Sequence, residues 1–198
     1  MKILMSVPLR DHAEGEHLPN PIHTLPDTAL LGAKAPFFIP DFAPVCTASL
    51  YLAVRINRLG RSIYKKFAHR YYDAVAPAIH FTANPFLEEL QERHLPWDMA
   101  CGFDNALAVG SFTPVDEALA DDTIRCEALH NGENAIAETF NNAKELIAQF
   151  IEVASHYYML RQGDILLFPA NQKGFDVAID DHIDASFNGN PVLAFNIK

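Results

Sequence analysis

The sequence predicts an α+β fold built mainly of strands, a β-rich mixed-sheet roll with about three helices, and three stretches carry that expectation. The apolar run at 50–56 continues on both faces of an extended chain, as in a strand covered on both sides. Asn131-Gly132 joins two β-prone runs, 123–129 and 133–138, with the dipeptide that a tight hairpin turn prefers. Leu146, Ile147, Phe150, Ile151 and Ala154 fall on one face of a helix expected over 142–160.

Taken in order, 2–7 reads as a short strand. The polar segment 10–23, broken by Pro19 and Pro21, reads as a loop or a single helical turn. The proline- and aromatic-rich stretch 36–45 reads as an extended crossing to a central strand at 49–57. After the turn at Leu59-Gly60, Ser62 is placed to cap a helix over 63–72, with Ile63, Phe67 and Tyr71 on one face. Asn84-Pro85 opens a second helix that runs to about 93, and Pro96-Trp97 breaks it. Asn142 and Glu145 have capping-box spacing for the third helix, and Gly163 fits its stop. Residues 164–168 and 192–197 read as strands, with Asn188-Gly189 as another turn.

At 198 residues the chain suffices for one well-buried domain, taken as 1–198. Its 15 basic and 25 acidic residues give a net charge of −10, which disfavours nucleic acid and anionic membranes as partners. The cluster Arg55, Arg58, Arg61, Lys65, Lys66 and Arg70 is the exception, and reads as a solvated surface. Cys46, Cys101 and Cys126 are odd in number and widely spaced, so reduced thiols in a cytoplasmic protein are expected. The start has too short an apolar run for a signal peptide, and no later stretch reaches membrane-spanning length.

Several short motifs occur in one order along nearly the whole chain. They are Pro26-Asp-Thr-Ala-Leu-Leu31, Tyr51-Leu-Ala-Val-Arg-Ile56, Gly60-Arg-Ser-Ile63, Lys66-Phe-Ala-His-Arg-Tyr-Tyr-Asp73, Thr82-Ala83, Glu89-Leu-Gln-Glu-Arg-His-Leu-Pro-Trp97, Gly102-Phe-Asp104, Asn131-Gly-Glu133 and Gly163-Asp164. The set resembles the fumarylacetoacetate hydrolase family in its short bacterial form. That resemblance implies a roll of packed sheets with the active site between them, and a homodimer. It also implies a lid-like loop over 10–25, and a Mg²⁺ or Mn²⁺ ion that polarises a diketo or oxo acid.

The chemical positions depart from the family's pattern. Its Glu-x-Glu pair corresponds here to Ser49 and Tyr51, and its Asp before Thr-Ala to His80. Its Arg is Asn84, its Gln is Leu87, its lysines are Leu25 and Cys101, and its strand-end hydroxyl is Ala170. Mg²⁺ needs hard, mostly anionic oxygen ligands, so no metal and no cofactor are expected to be retained. For Cys101, a small buried residue is the plain expectation; a nucleophile would need an activating base. The family's lid dyad of His and Glu matches His12, with Glu14 and Glu16 one position to either side of the expected acid. His12, His17 and His23 form no compact zinc motif and read as exposed loop residues.

Three functions remain open on the sequence. One is a pseudoenzyme or repurposed binder of a small molecule, such as an oxo acid. Another is an active hydrolase, isomerase or decarboxylase of diketo or oxo acids with a non-standard site. The last is a structural subunit of a dimer.

Overall fold

Period-two burial along the apolar runs builds two sheets that share one core. The computed structural model describes residues 1–7 and 21–198 of the chain. Strands β1 (Ile3–Ser6), β2 (Ile22–Leu25), β3 (Cys46–Ile56) and β4 (Tyr72–Thr82) come first, then helices α1 (Asn84–Glu92) and α2 (Asp98–Cys101). After them come β5 (Leu107–Val109), β6 (Thr113–Pro114), α3 (Val115–Ala118), β7 (Thr123–His130), β8 (Glu133–Asn141) and α4 (Ala143–Tyr157). The chain closes with β9 (Ile165–Pro169), β10 (Phe175–Val177), β11 (His182–Phe187) and β12 (Asn190–Asn196).

The larger sheet has the order β2-β1-β9-β3-β4-β5, with β10 on β3 and β6 on β4. The β1–β9 pair is parallel and the other pairs are antiparallel, so the sheet is mixed. The smaller sheet runs β12-β11-β7-β8 and is antiparallel throughout. This is the strand-rich α+β roll that the sequence predicts.

Strand β3 is covered on both faces, as expected. Leu50, Leu52, Val54 and Ile56 enter the core between the sheets, with Ile79 and Phe81 of β4 and Ile124, Ile136 and Ile183 of the smaller sheet. Ala53 and Tyr51 face the opposite way, onto a smaller apolar layer that includes Ile3, Leu25, Ala78 and Leu107. The hairpin at Asn131-Gly132 is also as expected, with φ of 54° and 84°, and Asn188-Gly189 repeats it at 47° and 83°.

Four local expectations change. The helix expected over 63–72 is a 3-10 turn, Lys65–Arg70. Ser62 is left-handed, with φ of 50°, and the Lys65 N–H that its side chain would have capped donates to Glu152 of α4 instead, so Ser62 caps no α-helix. Phe67 is accordingly exposed rather than packed on a helical face. The end of the expected loop over 10–25 is strand β2; residues 8–20 lie outside the described residues.

Asn142 does not cap α4 either. It is left-handed, with φ of 51° and no side-chain bond, and the cap comes from Asp122. The Asp122 carboxylate accepts from the Lys144 N–H at 2.7 Å and its carbonyl from the Ala143 N–H at 3.1 Å. Including α2 and α3, single turns of four residues each, there are four α-helices among the described residues. No helix there is long and apolar enough to cross a membrane.

Strand β4 is not among the strands expected from the sequence, and it carries Pro77, a residue disfavoured in a central strand. Its partners resolve the conflict. β5 pairs with Ala78–His80 and β6 with Ala74 and Val75. The Pro77 carbonyl accepts from Gly110 on that side, so the missing N–H faces the gap between the two short strands.

Candidate functional site

The matched positions of β3 and β4 converge because the two strands are in register. Ser49 lies opposite His80, and Tyr51 opposite Ala78, so alternation turns all three side chains to the smaller apolar layer. The Tyr51 and His80 rings meet edge to face with centroids 5.7 Å apart. His80 is buried, and its Nε2 lies 2.7 Å from the carbonyl oxygen of Cys101 at the end of α2. A carbonyl only accepts, so Nε2 carries the proton and donates. Burial drives the His80 pKa down to about 4, against the lesser opposing effect of that hydrogen bond, and the ring is neutral at pH 7.

The other matched positions are occupied by packing or by internal hydrogen bonds. Asn84, at the start of α1, donates to the Thr47 hydroxyl, which donates to Asp176 on β10. Leu25 is buried in the smaller layer, and Leu87 packs against the main core. Ala170 follows β9 and donates its N–H to the Leu50 carbonyl at 2.9 Å. Cys101 is buried, and burial pushes its thiol up to about 12, so it is no thiolate near neutral pH. His80 reaches the Cys101 carbonyl, not its sulfur. His12, Glu14 and Glu16 lie outside the described residues.

Gly174 fixes the wall beside Ser49. A Cβ there would fall 2.5 Å from Ser49 Oγ and 2.4 Å from the Ala48 carbonyl oxygen. Only a glycine lets the chain entering β10 come this close to β3.

His23 is the group the sequence reading misplaced. It sits on β2 and is buried, its ring stacked on Trp97 with centroids 4.6 Å apart. Its Nδ1 lies 3.8 Å from Asp98, and its buried Nε2 has no hydrogen-bond partner among the described residues. Burial lowers its pKa, with Asp98 opposing. The alternation Ile22-His-Thr-Leu25 is the one signal that could have placed it in a strand, and four residues are too few to assert one.

The donor set does not fit the divalent cation that the resemblance implies. Ser49 carries no charge, and burial raises the Tyr51 pKa so that it stays a phenol. His80 has one ring nitrogen committed to a carbonyl. A hard cation would find no anionic oxygen among these three. Among the described residues, no group of three or more His, Cys, Asp and Glu side chains is placed to hold a metal. A separate groove of about 650 Å³ opens between the 3-10 turn and α4, where Lys65, His69, Asp116 and Lys144 line it. It includes Tyr72, eight residues along β4 from His80, or roughly 27 Å.

A mixed sheet curled over a four-stranded antiparallel sheet, with polar positions in register on its two central strands, defines a two-sheet α+β roll. The chain belongs to the fumarylacetoacetate hydrolase family. The family model described as Fumarylacetoacetate (FAA) hydrolase C-terminal matches residues 7–195.

Solved structures share the fold. A fumarylacetoacetate hydrolase family protein assigned in Yersinia pestis CO92 is 24% identical with a TM-score of 0.83, over 100% of this chain and 92% of that one. Fumarylpyruvate hydrolase of Pseudomonas aeruginosa, solved with Mn²⁺ and pyruvate, is 15% identical with a TM-score of 0.84, over 99% and 88%. The 2-hydroxyhepta-2,4-diene-1,7-dioate isomerase of Mycobacterium marinum is 18% identical with a TM-score of 0.78, over 99% and 73%. No curated protein matches the chain.

Proposed function

We propose that this family member has given up metal-dependent chemistry and keeps the scaffold as a pseudoenzyme that binds a small molecule. The observation that carries the reading is His80: it stands opposite Ser49, buried and neutral, and spends its Nε2 proton on the Cys101 carbonyl. A carboxylate in that place would be repelled by the same carbonyl oxygen, so the local hydrogen bonding favours a donor rather than a metal ligand. Leu25, Asn84 and Cys101 supply no cation to meet substrate carboxylates, which supports the same reading. All three cysteines are free and buried, in keeping with a reducing, cytoplasmic setting. The homodimer that the resemblance implies belongs to the same proposal.

The test is metal analysis of the purified protein, followed by assays of acylpyruvate cleavage and oxaloacetate decarboxylation with and without Mn²⁺. The expected result is substoichiometric metal and no Mn²⁺-dependent turnover. Stoichiometric Mn²⁺ that disappears in His80→Ala, or turnover that follows added metal, would instead establish an active enzyme with a non-standard site.

A further inference from the structure

The basic cluster of the sequence is solvent-exposed, as expected, and is interleaved with aromatic and apolar groups. Arg55 pairs with Asp73 and Lys65 with Glu145, but Arg58, Arg61, Lys66 and Arg70 have no acidic partner among the described residues. Three of these four lie over aromatic rings: Arg58 over Tyr71 at 5.9 Å, Lys66 and Arg70 over Phe67 at 4.9 and 5.2 Å. The same end of the molecule exposes apolar groups. Leu59, Tyr64 and Phe67 are 64%, 69% and 39% exposed, and Tyr157 and Met159 are 58% and 44% exposed. Backbone bonds hold the two segments side by side, since Gly60 and Leu160 exchange N–H···O contacts and Ser62 donates to Ser155. The patch gathers exposed cations in a chain of net charge −10.

We propose that this patch is a docking surface for another protein, one that presents an acidic segment with apolar side chains between its carboxylates. Exposed apolar groups interlaced with arginine and tyrosine are the composition of protein interfaces. Charge complementarity selects the partner. A second copy in a two-fold contact would set these cations against themselves. A long polyanion would leave Leu59 and Met159 without apolar contact. The patch adjoins Ile56, the end of β3, seven residues or roughly 23 Å from Ser49. Binding there is therefore separable from the chemistry of the other site.

A fluorescent peptide of alternating Glu and Leu/Tyr residues is the probe, titrated with the full chain by anisotropy at 50 mM and 300 mM salt (about 14 and 6 Å screening lengths). Saturable binding is expected, weakened at least fivefold by the higher salt. Arg61→Glu and Tyr64→Ser should each weaken it about fivefold or more at unchanged melting temperature. Lys173→Glu, the same charge change at an exposed site elsewhere, should leave it within twofold. Absence of saturable binding at 50 mM salt, or equal effects of Arg61→Glu and Lys173→Glu, overturns the proposal. Tighter binding of a single-stranded oligonucleotide of equal length would make nucleic acid the partner. Self-association abolished by Arg61→Glu would make it a second copy.

Discussion

His80 donates from Nε2 to the carbonyl oxygen of Cys101 across 2.7 Å, tying the end of the α2 turn to the centre of β4. The bond joins two positions that the family resemblance assigns to chemistry, and it uses one of them to hold the backbone of the other. It fixes the proton on Nε2 and leaves Nδ1 as the only acceptor of the ring. The thiol of Cys101 takes no part.

Burial of the His80 ring makes stability depend on acid. His80 has a folded pKa near 4 against 6.5 unfolded, so below about pH 6.5 the unfolded chain binds the extra proton and folding loses stability. The stabilising neutral state is fully present above pH 6.5 and is lost as pH falls toward 4. Between pH 7 and pH 5 the loss from this group is about 2 kcal/mol. His23, whose pKa is also lowered by burial, adds with the same sign. Urea unfolding at the two pH values, for the parent and for His80→Asn, is the measurement. The parent should lose about 2 kcal/mol more than the variant; equal losses would mean that His80 is not neutral and buried.

Gly174→Ala should be costly although it adds a single methyl group. The new Cβ would lie 2.4 Å from a backbone oxygen of β3, which has no rotamer with which to yield. A loss of roughly 1–3 kcal/mol is expected, the usual range for overpacking. Gly132→Ala is the comparison: nothing lies within 4 Å, but φ is +84°, so only conformational strain of about 1 kcal/mol applies. Adding Ser49→Ala to Gly174→Ala should recover little, because the Ala48 carbonyl remains in the way. Full recovery in a thermal melt would contradict the geometry.

Restoring the family's acids tests the reading of the site. Ser49→Glu, Tyr51→Glu and His80→Asp together should create a cation site without restoring much catalysis, because Asn84 and Cys101 still leave substrate carboxylates unoriented. Without metal the triple variant should melt lower than the parent. Its new carboxylates repel one another. The longer side chain put in place of Ser49 must displace the chain at Gly174, and the acid put in place of His80 meets the Cys101 carbonyl with no proton to donate. Added Mn²⁺ should raise its melting temperature by mass action and leave the parent unchanged. A triple variant indifferent to Mn²⁺ would show that these positions do not form the family's metal site.

Local pattern made the hairpin turns, strand β3 and helix α4 legible, because each rests on a signal carried by neighbouring residues: left-handed Asn-Gly pairs, an apolar run, a helical stripe. Ordered motifs pointed to the family over the length of the chain. What failed locally failed through distant partners. Ser62 looked like a helix cap until Glu152 took the Lys65 N–H that it would have capped, and Asn142 looked like another until Asp122, 20 residues away, supplied the acceptor. Strand β4, which the sequence reading did not name, accommodates Pro77 because β5 and β6 leave a gap at its nitrogen.

The sequence by itself determined the strand-rich α+β class and the chemical identity of the altered positions, since residue type and period-two or helical spacing are properties of the chain alone. Only the tertiary structure decided what those residues do to one another. Strand register set Ser49 against His80, the turn of α2 brought the Cys101 carbonyl to its ring, and the sheet edge buried His23 against Trp97. Burial and hydrogen-bond partners set a histidine's proton and charge, and both come from residues far away along the chain.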